Sequence, residues 1–263
     1  MMKTLSKTFV NILIFLLCYT AITLTLGVFR ESYPYPVIFG GTFSTRAIEY
    51  LKVDRNLLDS IRNSMVIGTI STFIATFLSY FVARRISTNR KFKKLLMAVV
   101  FLPMVVSATS IGIGLQLIFI KLGMAGKIPA IILVHIVYII PYSVWIMIPG
   151  FESFDEDLYN QARILGASKL KATVNSILVH MFSFIKTSII MGFILSFSQY
   201  YLTLVLGIGM VNTFTLLSFP FMVVKDRSIT AVMSIIFILL NVLFILGIEL
   251  ISKIIIRSKK WHI

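Results

Sequence analysis

The chain has 263 residues, of which 58% are hydrophobic and 13% charged, with a formal net charge of +15 and a mean hydropathy of +0.95. That composition excludes a soluble domain. The excess of Lys and Arg sits in short segments between apolar runs, so it reads as membrane topology, with anionic lipid headgroups as its partner and no nucleic acid.

Apolar segments of spanning length recur at Phe9–Phe29, Met65–Ala83, Leu95–Ile120, Ala130–Ile148, Met181–Leu206 and Ile229–Ile256. They predict an all-α membrane protein of six transmembrane helices with a cytoplasmic loop between spans four and five. Residues 1–29 form a short basic start, with Lys3 and Lys7, and the first span. The apolar run is too long for a signal-peptide core and no small-x-small site ends it, so an uncleaved span is expected. Cys18 lies within it as a packing residue, and a single cysteine permits no intrachain disulfide.

Residues 30–62 read as an external connector carrying Pro34, Pro36, Gly40 and Gly41, with a short surface helix within Ser44–Leu58. Residues 63–256 form a core of five spans, and 257–263 a basic tail. Span two carries small residues at helical spacing: Ser64, Gly68, Ser71, Thr72, Ala75 and Ser79. Span five repeats the device with Ser188, Gly192 and Ser196, and both stripes are expected to be helix–helix contact faces. In span three, Pro103 with Gly112 and Gly114 loosens the helix.

Polar side chains at membrane depth are candidates for function because burying them is unfavourable. The pathway candidates are Gln116 in span three, His135 and Tyr138 in span four, Gln199 and Tyr200 in span five, and Asn241 in span six. His135 reads either as a proton-linked or substrate group or as a hydrogen-bond partner of a neighbouring helix. Glu249, the acid well inside a span, stands one turn from Lys253 and is expected to pair with it. With the N-terminus inside, sixteen basic residues fall on the cytoplasmic side and nine opposite, which places both termini in the cytoplasm.

One long polar segment, Asp155–Val179, stands between two spans and must lie in water or against another protein. Ser153 and Glu156 predict a capping box, and the acids Asp155, Glu156 and Asp157 suit a helix N-terminus. Leu158, Ala162 and Leu165 recur at helical spacing. Gly166 then fits a left-handed cap, and Ser168 can start a second helix carrying Leu170, Val174, Ile177 and Leu178. Two short amphipathic helices meeting at a glycine make a docking element.

Asn160-Gln161-Ala162, three residues, then Gly166-Ala167-Ser168 resembles the E-A-A-x-x-x-G-A-S loop of permease subunits of type I ABC importers, the binding-protein-dependent uptake systems. Asn160 stands where Glu is usual, Gln161 replaces Ala, and Val179 stands where Leu-Pro commonly ends the loop. The similarity runs from about Asn63 to the C-terminus. It implies a coupling-helix loop over 151–180 that seats in a cytoplasmic ABC ATPase, with Leu158, Asn160, Gln161, Ala162, Leu165, Gly166, Ala167 and Ser168 as its docking residues. It implies further partners too: a second permease subunit, a heteromer rather than a homodimer, and an extracytoplasmic solute-binding protein at the cell membrane. Layout resembles the polyamine permeases and the Ser-Gln-Tyr stretch at 198–200 the thiamine-like ones, so a small organic solute of one of these kinds is expected.

No G-x-x-x-x-G-K-[ST] loop, metal-ligand cluster or H-E-x-x-H or G-x-S-x-G motif occurs, so neither catalysis nor a cofactor is expected in this chain. The alternatives are a stand-alone secondary transporter or channel, which would need polar relays in its spans, and a membrane-embedded enzyme or assembly factor, for which no catalytic set can be assembled.

Overall fold

A computed structural model of the chain describes residues 2–31, 42–89, 91–224 and 226–258. Pro34, Pro36, Gly40 and Gly41 of the expected connector, and residues 259–263 of the expected tail, lie outside the described residues. The order is α1 (Met2–Val28), α2 (Arg46–Val53), α3 (Arg55–Thr88), α4 (Lys93–Val105), α5 (Ala108–Lys121), α6 (Ile128–Glu152) and α7 (Glu156–Ile164). Then come α8 (Lys169–Ala172), a π-helical turn (Thr173–Leu178), α9 (Val179–Phe197), α10 (Tyr201–Gly207), α11 (Phe214–Val224) and α12 (Arg227–Ser258). The described residues hold no β-strand, only an isolated bridge between Arg30 and Phe43.

Five helical stretches are long and apolar enough to cross a bilayer: Val10–Val28, Arg55–Thr88, Ile128–Glu152, Lys169–Phe197 and Arg227–Arg257. A sixth exists if α4 and α5 count as one span, but they are bent by 93°. The expected continuous span three is therefore broken. Pro103 strips a donor from the last turn of α4, Val106 is extended, and the extended Ser107 caps α5 by accepting from the Ser110 N–H.

Span five differs from expectation at both ends. It starts at Lys169, because α8 and the π turn continue into α9 without a break, and it stops at Phe197. Beyond it, Ser198 to Tyr200 separates off the short α10, which ends where Ile208 and Gly209 are left-handed. Helix α11, eleven residues long and too short to span, has no counterpart in the expected set.

Helices α3, α6 and α9 form the centre. Lipid tails are as apolar as the helices, so close approach and interhelical hydrogen bonds, each about 0.6 kcal/mol, do the stabilising. Ser60, Ser64, Gly68, Ser71, Thr72, Ala75, Thr76 and Ser79 of α3 are buried. Ser71 and Ser79 donate to the Ile132 and Ile140 carbonyls of α6, and Thr76 Oγ1 lies 3.3 Å from Ser188 Oγ of α9. A Cβ at Gly192 would stand 2.9 Å from Ile139 and 3.0 Å from Thr72, so glycine is what lets the three helices meet.

An aromatic stack joins this centre to α11 and α12. Phe193 lies 3.6 Å from Phe244, nearly parallel, and Phe197 packs against Phe214 and Phe237. Toward the loop end of α9, Lys186 pairs with Glu249 at 2.9 Å, correcting the expected Glu249–Lys253 pair. Spacing along one helix cannot reveal that another helix brings a cation closer. At the opposite end, Arg46 bridges to Asp226, Tyr50 packs on Phe221, and Asn63 donates to the Asn212 carbonyl.

Candidate functional site

Between α6 and α9 the chain leaves the bundle for the polar loop. Helix α6 runs to Glu152 and uses Ser153 as its C-cap, so the expected Ser153–Glu156 capping box does not form. Asp155 is extended instead and accepts from the Asp157 N–H, capping α7, whose first turn carries Glu156 and Asp157. The helix closes at Leu165. Gly166 has φ of +85°, and the Ala167 N–H returns to the Ala162 carbonyl. Arg163 reaches over the turn to the Ala167 carbonyl at 2.6 Å, and Ser168 caps α8 by accepting from Lys171 N–H. One side-chain cap, a backbone return and a cation thus fix the shape of the turn, and a Cβ at Gly166 would meet nothing within 4 Å.

Its apolar groups point away from the bundle. Leu158 is 52%, Ile164 84%, Leu165 87% and Leu170 75% exposed, while Tyr159 and Ala162 are half-buried on the inner side. Asn160, Gln161 and Ser168 are exposed and Ala167 is half-buried. Sequence reasoning singled out Leu158 and Leu165 but not Ile164, the residue between two named positions; an apolar side chain just before the glycine turn was the available signal. Behind α7, a polar cleft of about 780 Å³ separates it from the ends of α3, α4 and α6, lined by Arg84, Glu156, Tyr159 and Asn160 and by the Lys93–Glu152 ion pair.

The pathway candidates do not form one cluster. His135 is buried on α6; its Nδ1 lies 2.7 Å from Ser196 Oγ on α9 and its Nε2 3.1 Å from Thr203 Oγ1 on α10. Gln199 joins this group through its carbonyl, which accepts from Thr203. Tyr138 packs against Tyr142 one turn on, and Tyr200 stacks on Phe219 of α11 at 4.1 Å. Gln116 is half-buried on α5, and its side chain makes no hydrogen bond among the described residues. Asn241, buried on α12, donates to the Phe237 carbonyl of its own helix and leaves its Oδ1 without a partner. The described residues contain no group of three or more His, Cys, Asp or Glu placed to hold a metal.

Residues 75–257 match the family described as binding-protein-dependent transport system inner membrane component. Among relatives, the molybdate/tungstate transport system permease protein WtpB of Methanocaldococcus jannaschii is 30% identical over 160 residues, 56% of this chain and 61% of the relative. WtpB of Pyrococcus furiosus is 29% identical over 161 residues, 60% and 63% of the two chains. The chain thus spans about three fifths of the length of these curated relatives. They correct the expected polyamine or thiamine-like grouping, which layout and the Ser-Gln-Tyr stretch at 198–200 had suggested.

The fold resembles that of a bacterial ABC transporter involved in the import of the acidic polysaccharide alginate, with a TM-score of 0.70, 13% identity, and 94% and 92% of the two chains covered. It also resembles a bacterial alginate ABC transporter in complex with its alginate pentasaccharide-bound periplasmic protein, with a TM-score of 0.68, 13% identity and 97% and 94% coverage. With the matched family region taking in the break of span three, the glycine turn and the last two spans, this chain belongs to the inner membrane components of binding-protein-dependent transport systems, a family of multi-pass membrane permeases of ABC transporters.

Proposed function

We propose that this chain is the membrane-spanning subunit of an ATP-driven importer in the cell membrane, with both termini and the α7–α8 loop in the cytoplasm. It forms half of a solute pathway with a second permease chain, receives solute from an extracytoplasmic binding protein, and is driven by separate ATPase subunits. One observation carries the reading: Ile164, Leu165 and Leu170 stand more than 70% exposed around a glycine turn whose shape is fixed by its own hydrogen bonds. Exposed apolar residues on a rigid polar loop need a protein partner, and in this family the partner at that place is the ATPase.

The polyamine or thiamine grouping that favoured a heteromer no longer supports it, and two copies of this chain are the simpler assembly. The solute proposed is a tetrahedral oxyanion of the molybdate and tungstate kind, which the relatives' names supply. The charge pattern agrees with an anion: Glu249, the acid well inside a span, is held by Lys186 and offers nothing to a polycation.

Affinity purification in mild detergent followed by mass spectrometry tests the assembly. A co-purifying chain with a phosphate-binding G-x-x-x-x-G-K-[ST] loop is expected, and its reproducible absence refutes the reading. Uptake of tungstate into vesicles bearing the complex and its binding protein tests the solute, with spermidine and thiamine as comparisons; uptake of either organic cation in place of tungstate overturns the anion assignment.

A further inference from the structure

The docking loop leaves the bundle at the end of α6 and returns through α8 and the π turn to α9. Its two ends are joined by a contact between residues thirty apart. His180 Nε2, in the first turn of α9, lies 3.1 Å from the Gly150 carbonyl oxygen and 3.2 Å from Ser153 Oγ. A carbonyl only accepts, so Nε2 carries the hydrogen and shares it between the two oxygens, while Ser153 Oγ donates back to the Gly150 carbonyl at 3.3 Å. The imidazole ring is also held edge-on by Phe154 at 5.4 Å and lies 6.1 Å from Phe184.

The approach depends on Gly150. A Cβ there would stand 2.7 Å from Phe184 and 2.9 Å from the Met181 sulfur, so a side chain at this position would push α9's Phe184 and Met181 away from α6. On the loop side of His180 lies the π-helical stretch Thr173–Leu178. A π turn interrupts the regular α-helical hydrogen-bond ladder, and such interruptions are where helices kink. A push on α7 therefore has to pass an interruption in the helix to reach α9, and His180 stands two residues beyond it, where regular α-helix resumes.

We propose that His180 is a positioning residue for coupling: its hydrogen bonds to Gly150 and Ser153 clasp the base of the docking loop to α6, so that displacement of the loop moves α6 and α9 together instead of dissipating in the π turn. This rests on the importer reading above for the source of the push, and on the geometry alone for the clasp. It requires the donor rather than the ring. His180→Phe keeps an aromatic ring between Phe154 and Phe184 and removes the donor, whereas His180→Gln returns an N–H at similar reach and removes the ring.

The test is hydrogen–deuterium exchange across residues 155–180 in the full chain, reconstituted in lipid nanodiscs with whatever ATPase co-purifies, alongside ATP hydrolysis stimulated by tungstate-loaded binding protein. His180→Phe is expected to speed exchange of the loop amides about three- to tenfold, the size expected for one lost hydrogen-bonded clasp. It should also lower stimulated hydrolysis while the ATPase remains bound. His180→Gln should behave as the parent in both. Exchange and stimulation at parental levels in His180→Phe would overturn the proposal, and so would equal loosening in both variants. If no ATPase accompanies the parent chain, the importer reading fails and the exchange comparison still decides the clasp.

Discussion

Lys186 Nζ lies 2.9 Å from Glu249 Oε2, tying α9 to α12 on the loop side of the Phe193–Phe244 stack. Both side chains are partly exposed, at 25% and 39%, on a bundle whose surroundings are lipid. Removing one partner leaves a charge without its counterion, which is worse than removing both. Lys186→Met and Glu249→Met should each melt below the parent in a detergent thermal-shift assay, and the double variant should recover most of the loss. A double variant whose loss equals the sum of the two single losses would show that the pair is not coupled.

Gly166 has φ of +85° with open space around its missing side chain, so any penalty there is backbone strain and not a clash. A β-branched residue in the left-handed region costs about 1–2 kcal/mol, and Asn much less. Gly166→Val should leave the chain inserted in the membrane and lower solute-stimulated ATP hydrolysis, because the turn that aims Leu165 would open. Gly166→Asn should retain most of it. Full stimulated activity in Gly166→Val would refute the need for a fixed turn.

Much of this architecture was legible in the residues. Hydropathy located spans one, two, four and six within a few residues, except that α3 begins at Arg55 because the approach from the α2 side is itself helical. Gly166 and Ser168 announced the turn and the second cap, since those residue types answer to backbone geometry that is purely local. What could not be read was tertiary. Lys253 sits at the right spacing from Glu249, yet Lys186 arrives from another helix. Lys169, Lys171 and Asn175 set the second loop helix apart from span five, although α8 and the π turn carry helical backbone through them into α9 without a break. His180 attracted no notice because its partner, a backbone carbonyl thirty residues away, leaves no trace in the side-chain pattern.

Leu158 and Leu165 are 52% and 87% exposed, so neither supports the fold from inside. Their replacement by Asp should leave the melting temperature of the isolated chain within about 0.5 kcal/mol of equivalent stability, as for surface changes away from buried features. Leu165→Asp should nevertheless release the ATPase during purification, with Leu158→Asp doing so less completely because less of its side chain projects. Retention of the ATPase by both variants would remove these residues from the docking surface and leave Ile164 and Leu170 to carry it.

His135 separates a structural strut from a pathway group. Thr203 Oγ1 donates to the Gln199 carbonyl and so accepts from His135 Nε2–H, which leaves Nδ1 to accept from Ser196. A single neutral tautomer satisfies all three groups and binds α6 to both sides of the break between α9 and α10. His135→Leu would orphan Ser196, and with two interhelical bonds lost the expected destabilisation is about 1–2 kcal/mol, a fall of about 2–8 °C in melting temperature for a chain of this size. Adding Ser196→Ala should restore part of it by removing the unpaired hydroxyl. If instead His135→Leu melts like the parent while tungstate uptake is abolished, the imidazole belongs to the solute pathway and the strut assignment falls.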